Sequence, residues 1–305
     1  MKKTILILGG EGFIGRNLID ELKDNCNIIS FDLEKNAKSD DKITFYKGNF
    51  TFQQDLEIIF KENKIDIVIH ALSTTIPSNS NANIIYDINS NLVATIELLD
   101  LMRKYSTPKI IFISSGGTVY GLLDHEQSVV TENQATNPIC SYGIVKLSIE
   151  KYIYLYNYLY GINYLVLRFA NPYGRYHKSD KQGLINVILN KIINHETVTI
   201  WGDGSTVRDY VYINDCSSIV RNLIEKNISN ETINIGSGVG YSINDILKII
   251  EKQIGNFKTN RLETRDFDVP SFILDNSKLQ SIINHTFTNI EEGVNNTYNW
   301  LKNNE

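Results

Sequence analysis

Tyr142 and Lys146 stand four residues apart in Ser141-Tyr142-Gly143-Ile144-Val145-Lys146, and the run behind them (Leu147, Ile149, Glu150, Lys151, Tyr152) reads as helix. Residues i and i+4 share a helix face. A phenol and an ammonium held side by side make a usable base. The positive charge favours the phenolate, so the phenol is expected to fall from its free value of about 10 towards neutrality. Such a tyrosine can take a proton from a sugar hydroxyl while a hydride leaves the same carbon. In a chain with 17 Tyr the pair alone is weak, because a surface tyrosine beside a solvated lysine has the same spelling. The elements that would position the pair decide between the two.

Thr4 to Leu8 is an apolar run that ends in Gly9-Gly10-Glu11-Gly12-Phe13-Ile14-Gly15, and a helical pattern with Leu18, Ile19 and Leu22 on one face follows. A buried strand, a glycine turn and a helix form the phosphate-binding start of a dinucleotide fold. Gly9 permits the tight turn. Gly12 lets a pyrophosphate approach the backbone at the helix N-terminus, where N–H groups and the dipole favour an anion. Gly15 lets the helix pack close to the strand. Ile28 to Phe31 reads as a second strand with Asp32 at its end, 17 residues after Gly15 and near the spacing of a ribose-binding acid. A carboxylate there bonds the 2′-hydroxyl and repels a 2′-phosphate, so NAD is favoured over NADP.

The alternation continues through a strand at Ile43 to Phe45, a helix at Gln54 to Phe60, and a strand at Ile65 to His70. A long helix from Ile88 to Tyr105 follows, then Pro108 and a strand at Lys109 to Ile113. Strands alternating with helices mean a parallel, doubly wound sheet, with ligands at the carboxyl ends of its strands. Gly9, Asp32, His70 and Ser114 all fall at such ends, and His70 is read as a structural side chain beside the cofactor. After a further strand, Tyr164 to Phe169, the pattern loosens. Short strands at Val198 to Trp201, Tyr210 to Ile213 and Thr232 to Ile235 are separated by helices at Leu184 to Ile193 and Ile243 to Ile254. The expected fold class is α/β: a Rossmann-type sheet domain over residues 1–170, with a segment at about 205–225 returning to it, and a smaller mixed α/β substrate lobe over 171–305. A cleft between lobes is a common place for a substrate.

The net charge of −5 offers no basic field for nucleic acid. No apolar run reaches membrane-spanning length, and the N-terminus reads as a strand rather than a signal peptide. Cys26, Cys140 and Cys216 are odd in number and widely spaced. That argues against a disulfide framework or a metal site and for a reducing, cytoplasmic compartment.

Ser114-Ser115-Gly116-Gly117-Thr118-Val119-Tyr120-Gly121 follows the fifth strand. Arg168-Phe169-Ala170-Asn171-Pro172-Tyr173-Gly174, Trp201 to Asp215, Asn234-Ile235-Gly236-Ser237-Gly238 and Arg265-x-x-Asp268 come later. With the glycine turn and the Tyr142/Lys146 pair, the chain resembles an extended short-chain dehydrogenase/reductase of the nucleotide-sugar epimerase/dehydratase family over nearly its whole length. The resemblance implies Tyr142 and Lys146 as the catalytic pair, with Lys146 also bonding the nicotinamide ribose. It implies an NAD site drawn from Gly9, Gly12, Phe13, Ile14, Gly15, Asp32, Asn49, Phe50, Ala71, Ser73, Asn91, Ser114 and Phe169. It implies Asn171, Arg208 and Arg265 on the diphosphate of a nucleoside-diphosphate sugar, a use that suits arginine. Arg208 could instead pair with Asp209 or Asp215. It also implies a homodimer through the helices at about 91–105 and 142–160, the second rich in tyrosine, which suits an interface or packing on the sheet alike.

Three positions depart from the family. The Ser or Thr that relays a proton is Gly116 here; either Ser115 or Thr118 substitutes, or the substrate needs no relay. The aspartate that bonds adenine is Asn49, which still accepts a hydrogen bond. Arg175 replaces a common proline. The expected reaction is 4-epimerisation of a nucleoside-diphosphate hexose, UDP-glucose and UDP-galactose or their N-acetyl forms, through a transient 4-keto sugar in surface polysaccharide synthesis. The alternative is a 4-keto-6-deoxyhexose nucleotide reductase, which consumes reduced nicotinamide. A dehydratase is disfavoured because its Asp-Glu pair is Gly117-Thr118 here. A non-catalytic nucleotide-binding regulator is disfavoured by the retention of Tyr142 and Lys146.

Overall fold

Five apolar runs of the first half become the strands Thr4–Leu8, Asn27–Asp32, Thr44–Lys47, Ile67–His70 and Lys109–Ser115 in the computed structural model. The model describes residues 2–35, 40, 43–122, 129–177, 179, 180, 182–263 and 271–304. With Asn163–Phe169 and Glu231–Ile235 these make a seven-stranded sheet. Its order is 231–235, 163–169, 109–115, 67–70, 4–8, 27–32, 44–47, so the first strand lies inside and the chain winds outward both ways. The pairings of Thr4–Leu8 with Asn27–Asp32 and Ile67–His70, of Asn27–Asp32 with Thr44–Lys47, and of Ile67–His70 with Lys109–Ser115 are all parallel. The inner strands are buried at nearly every residue, as parallel strands covered on both faces should be. Their register aligns Leu8 with Phe31 and His70, and His70 with Phe112. Gly9, Asp32, Ala71 and Ser114 therefore leave the sheet along one carboxyl edge, at the switch of winding direction where α/β sheets bind ligands.

The chain divides into two units. The first comprises Met1–Gly121, Ala135–Arg168 and Val220–Ile233, and the second Leu122–Gln134, Phe169–Ile219 and Asn234–Glu305. The returning segment is thus Val220–Ile233 rather than about 205–225, because the strand Val207–Tyr212 pairs inside the second unit with Asn171–Tyr173, Gly240–Ser242 and Ser271–Leu274. Each unit has its own core. Leu6, Phe31, Leu98 and Phe112 belong to the first, and Tyr173, Leu189, Ile250 and Val294 to the second. The second unit also holds a parallel pair, Val198–Trp201 with Thr259–Leu262.

The expected long helix at 88–105 is broken into types: α-helix at Ile84–Asp87, a π-helical turn at Ile88–Val93, and α-helix at Ala94–Lys104. The helix that begins at Ser141 runs unbroken for 20 residues to Tyr160, where Gly161 ends it in the left-handed region at φ 71°. It has one buried and one open face: Ile149 and Ile153 are buried, whereas Tyr158 is 85% exposed.

Gly15 packs against the glycine turn rather than merely near the strand. A Cβ there would lie 2.1 Å from the Gly9 carbonyl oxygen and 2.7 Å from Gly10 Cα. Both are backbone atoms that cannot swing aside. Gly15→Ala is expected to cost about 1–3 kcal/mol, the range for an overpacked core, read as a lowered denaturation midpoint. An unchanged midpoint would mean the turn yields freely.

Candidate active site

The nucleotide end of the site starts from the glycine turn. Gly9 holds φ 76°, and its N–H donates to the Phe31 carbonyl at 2.9 Å. The helix Phe13–Leu22 starts after Gly12 with no side-chain cap and no acidic residue in its first turn. A Cβ on Gly12 would meet only the Gly9 oxygen, at 3.3 Å. An uncapped helix N-terminus approached across a bare glycine is the form a diphosphate needs, so these residues fit a dinucleotide. Asp32 ends its strand with Oδ2 accepting from the Glu11 N–H at 3.0 Å and Oδ1 from the Leu33 N–H at 2.8 Å. Each carboxylate oxygen keeps a lone pair for a ribose hydroxyl. Burial raises the Asp32 carboxyl, against those two N–H bonds.

The remaining cofactor candidates are placed unevenly. Asn49 Oδ1 accepts from the Thr51 N–H and hydroxyl, Phe50 packs its ring 5.0 Å from His70, and the Ala71 N–H donates to Leu8. The Ser73 hydroxyl donates to the Thr75 carbonyl, and Phe169 is buried in the second unit. His70 is neutral, lowered to about 3 by burial and by the Lys146 charge, and its Nε2 pairs with Thr95 at 2.9 Å.

Tyr142 and Lys146 occupy the first turns of the 20-residue helix that begins at Ser141. Lys146 is buried. Its ammonium donates to the Ile113 carbonyl at 3.0 Å, lies 4.7 Å from the Phe112 ring centre, and 5.6 Å from that of Tyr142. Burial lowers it to about 8, against the pull of Glu150 and Asp87. The expected fall of the Tyr142 phenol is not what the structure shows. Burial pushes it up, the neighbouring Cys140 and Asp87 side chains add to the rise, and a hydrogen bond with Ser115 opposes it. The lysine faces the tyrosine ring and the Ile113 carbonyl, while desolvation acts on the phenol directly. Of the two stand-ins for Gly116, Ser115 reaches the phenol. Thr118 Oγ1 is buried without a partner among the described residues.

Asp87, absent from the sequence reading, ties this helix to its neighbours. Its buried carboxylate accepts from Thr75 Oγ1 at 2.6 Å, Asn91 Nδ2 at 2.9 Å and Ser141 Oγ at 2.6 Å. Asn91, proposed for the cofactor, also accepts the Thr74 N–H through Oδ1. Asp87→Asn removes a negative charge that raises both Tyr142 and Lys146. If Tyr142 is the base, the acid limb of the activity profile is expected to move to lower pH by less than about one unit, a shift that a purely structural carboxylate would not produce.

Glu150 stands one further turn along and was also missed, although its i+4 spacing from Lys146 could have found it. Its carboxylate binds Arg168 through Nε at 3.1 Å and Nη2 at 2.7 Å, and accepts the Ser114 hydroxyl at 2.5 Å. Arg168 Nη1 donates to the Tyr120 hydroxyl at 2.9 Å. This buried, hydrogen-bonded cluster ties the strand end Ser114 to the helix.

In the second unit, Asn171 Nδ2 donates to the Asp209 carbonyl at 2.8 Å, and Asn171 is in register with Tyr210. Arg208 Nη1 donates to the Val207 carbonyl at 2.8 Å. The Asp209 carboxylate accepts from Ser237, Gly238 and Leu274, all backbone or hydroxyl donors. Arg265 lies outside the described residues.

A parallel dinucleotide sheet with an uncapped glycine turn and a Tyr/Lys pair at its carboxyl edge defines a nicotinamide-dependent enzyme of the short-chain dehydrogenase/reductase type. Residues 5–236 match the NAD dependent epimerase/dehydratase family, and the chain belongs to it. A putative UDP-glucose 4-epimerase of Methanocaldococcus jannaschii is 36% identical, over 98% of this chain and 99% of that protein. A dTDP-4-dehydro-6-deoxyglucose reductase of Escherichia coli is 33% identical, over 88% of this chain and 86% of that one. Among solved structures, the UDP-glucose 4-epimerase of Thermotoga maritima with UDP-glucose superposes at a TM-score of 0.92, with 30% identity and coverage of 98% and 99%. The cofactor is therefore NAD.

Proposed function

We propose that the protein is a 4-epimerase of a nucleoside-diphosphate hexose. One observation carries the reading: Tyr142 bonds Ser115 on the strand-exit turn while Lys146, on the same helix, is locked to the neighbouring strand. Tyr142 takes the proton from the sugar 4-hydroxyl and returns it after the ring has turned over. Ser115 steadies the phenol and shares its proton. Lys146 supplies positive charge and a donor for the nicotinamide ribose. Bound NAD supplies the hydride acceptor and, when oxidised, a positive charge that favours the phenolate. Asn171, Arg208 and Arg265 hold the diphosphate, which keeps the 4-keto sugar from leaving while it rotates. The similarity to UDP-glucose 4-epimerases over the full chain supports UDP-glucose and UDP-galactose, or their N-acetyl forms, as substrates.

The reductase reading is favoured by Gly116 and by the Escherichia coli relative. Incubation with NAD and a panel of UDP-hexoses, with products read by NMR, separates the two. Epimerisation without net change in NADH absorbance is expected. Stoichiometric NADH loss with a 4-keto-6-deoxy substrate would replace it with the reductase. A homodimer through helices 91–105 and 142–160 is part of the proposal, supported by the exposed Val93, Ile144, Leu155 and Leu159. The three cysteines, unpaired in the structure, support a cytoplasmic setting.

A further inference from the structure

We propose that the amino edge of the seven-stranded sheet holds a binding site for a small phosphate-bearing anion, centred on Lys3 and Lys109. A cavity of about 770 Å³ opens there, lined by Lys2, Lys3, Lys64 and Lys109. Asp66 is the one carboxylate among its lining residues. The cavity sits where Thr4–Leu8, Asn27–Asp32, Ile67–His70, Lys109–Ser115 and Asn163–Phe169 begin, at the end of the sheet away from Gly9 and Asp32.

Lys109 is 6% exposed, and its ammonium donates to the Ile228 carbonyl at 2.5 Å. Lys3 donates to the Ile224 carbonyl at 3.3 Å, and Lys2 to that of Asp24 at 2.7 Å. The Asp66 carboxylate is taken up by the Thr4 N–H at 2.8 Å. Among the described residues none of the four lysines forms an ion pair. An ammonium carries three donors, and one carbonyl engages one of them with only a partial charge. Burying a cation without a carboxylate is costly. Here burial, together with the nearby Lys3 charge, lowers Lys109 to about 8.

The plainer account is that Lys3 only caps a carbonyl at the end of the helix Ile213–Glu225 and Lys109 one just beyond it, at Ile228. That explains one bond from each. It does not explain why two cations converge on one cavity with no carboxylate on either. A dianion between them would remove the repulsion and fill the remaining donors. Lysines act as point charges on phosphate, without the fork that selects a carboxylate. The cavity falls within the range of small-molecule sites, roughly 300–1,000 Å³, so it takes pyrophosphate or a larger phosphate ester.

The test is calorimetric titration of inorganic pyrophosphate at pH 8 into protein already saturated with NAD and UDP, in two buffers of different ionisation heat. Binding that survives those ligands and takes up protons is expected, since an anion returns the Lys109 proton. Lys109→Met and Lys3→Met are each expected to weaken it at least about tenfold, the size of one charge-assisted contact. Should Lys109→Met fail to fold, Lys3→Met, at a half-buried position, still reads the site. No binding by the saturated protein overturns the proposal, as does equal affinity in wild type and the folded variants.

Discussion

Tyr142→Phe is expected to lower kcat on the accepted nucleotide sugar by roughly 10²–10⁴-fold, the range for a lost general base, with KM and NAD content little altered. The phenyl ring refills the space and keeps the contact with the Lys146 ammonium, so only the proton-carrying oxygen goes. The structure adds a second signature. Burial pushes the phenol up, so the base is scarce at low pH and grows as pH rises. Wild-type kcat/KM is therefore expected to climb through the acid limb, and the residual activity of the variant to lose that climb. Ser115→Ala removes the bond that opposes the rise, so its limb shifts to higher pH. Turnover unchanged in Tyr142→Phe would remove this tyrosine from the mechanism and take the base assignment with it.

Glu150→Ala is expected to destabilise the protein by about 3–5 kcal/mol, because it strands a buried guanidinium. Arg168 is 4% exposed, and two of its donors end on Glu150, leaving the Tyr120 hydroxyl as its other partner. The Ser114 hydroxyl loses its acceptor as well. Arg168→Met in the same chain is expected to recover much of the loss, since replacing a whole buried pair by apolar side chains is often neutral. Urea midpoints of the two single variants and the double variant decide this. Additive losses would show that the pair is not the source of the cost.

The sheet was legible because its signals are local. The apolar run Thr4–Leu8 and the glycine turn after it need no knowledge of the rest of the chain, and Asp32 follows by spacing alone. The pair Tyr142/Lys146 was legible for the same reason. What lay hidden depends on partners far along the chain. Asp87 reads as an ordinary helix residue until Ser141 and Thr75 arrive beside it. The strands Val129–Val130 and Ser271–Leu274 are too short and too weakly patterned to register, and they form by pairing with distant partners, Val129–Val130 on Ser271–Leu274 and the latter also on Val207–Tyr212. The expected drop of the Tyr142 phenol failed for another reason. Helical spacing predicts which side chains are neighbours, but it carries no information on desolvation, which dominates here.

One stretch of 20 residues carries the proposed base, the ammonium beside it and a carboxylate whose charge raises that ammonium at successive i+4 steps, Tyr142, Lys146 and Glu150. Their separations are set by helical rise, so drift elsewhere in the polypeptide leaves the acid–base apparatus in tune. On the proposed roles, binding through Asn171 and Arg208, which lie off this helix, can then change without recalibrating the chemistry.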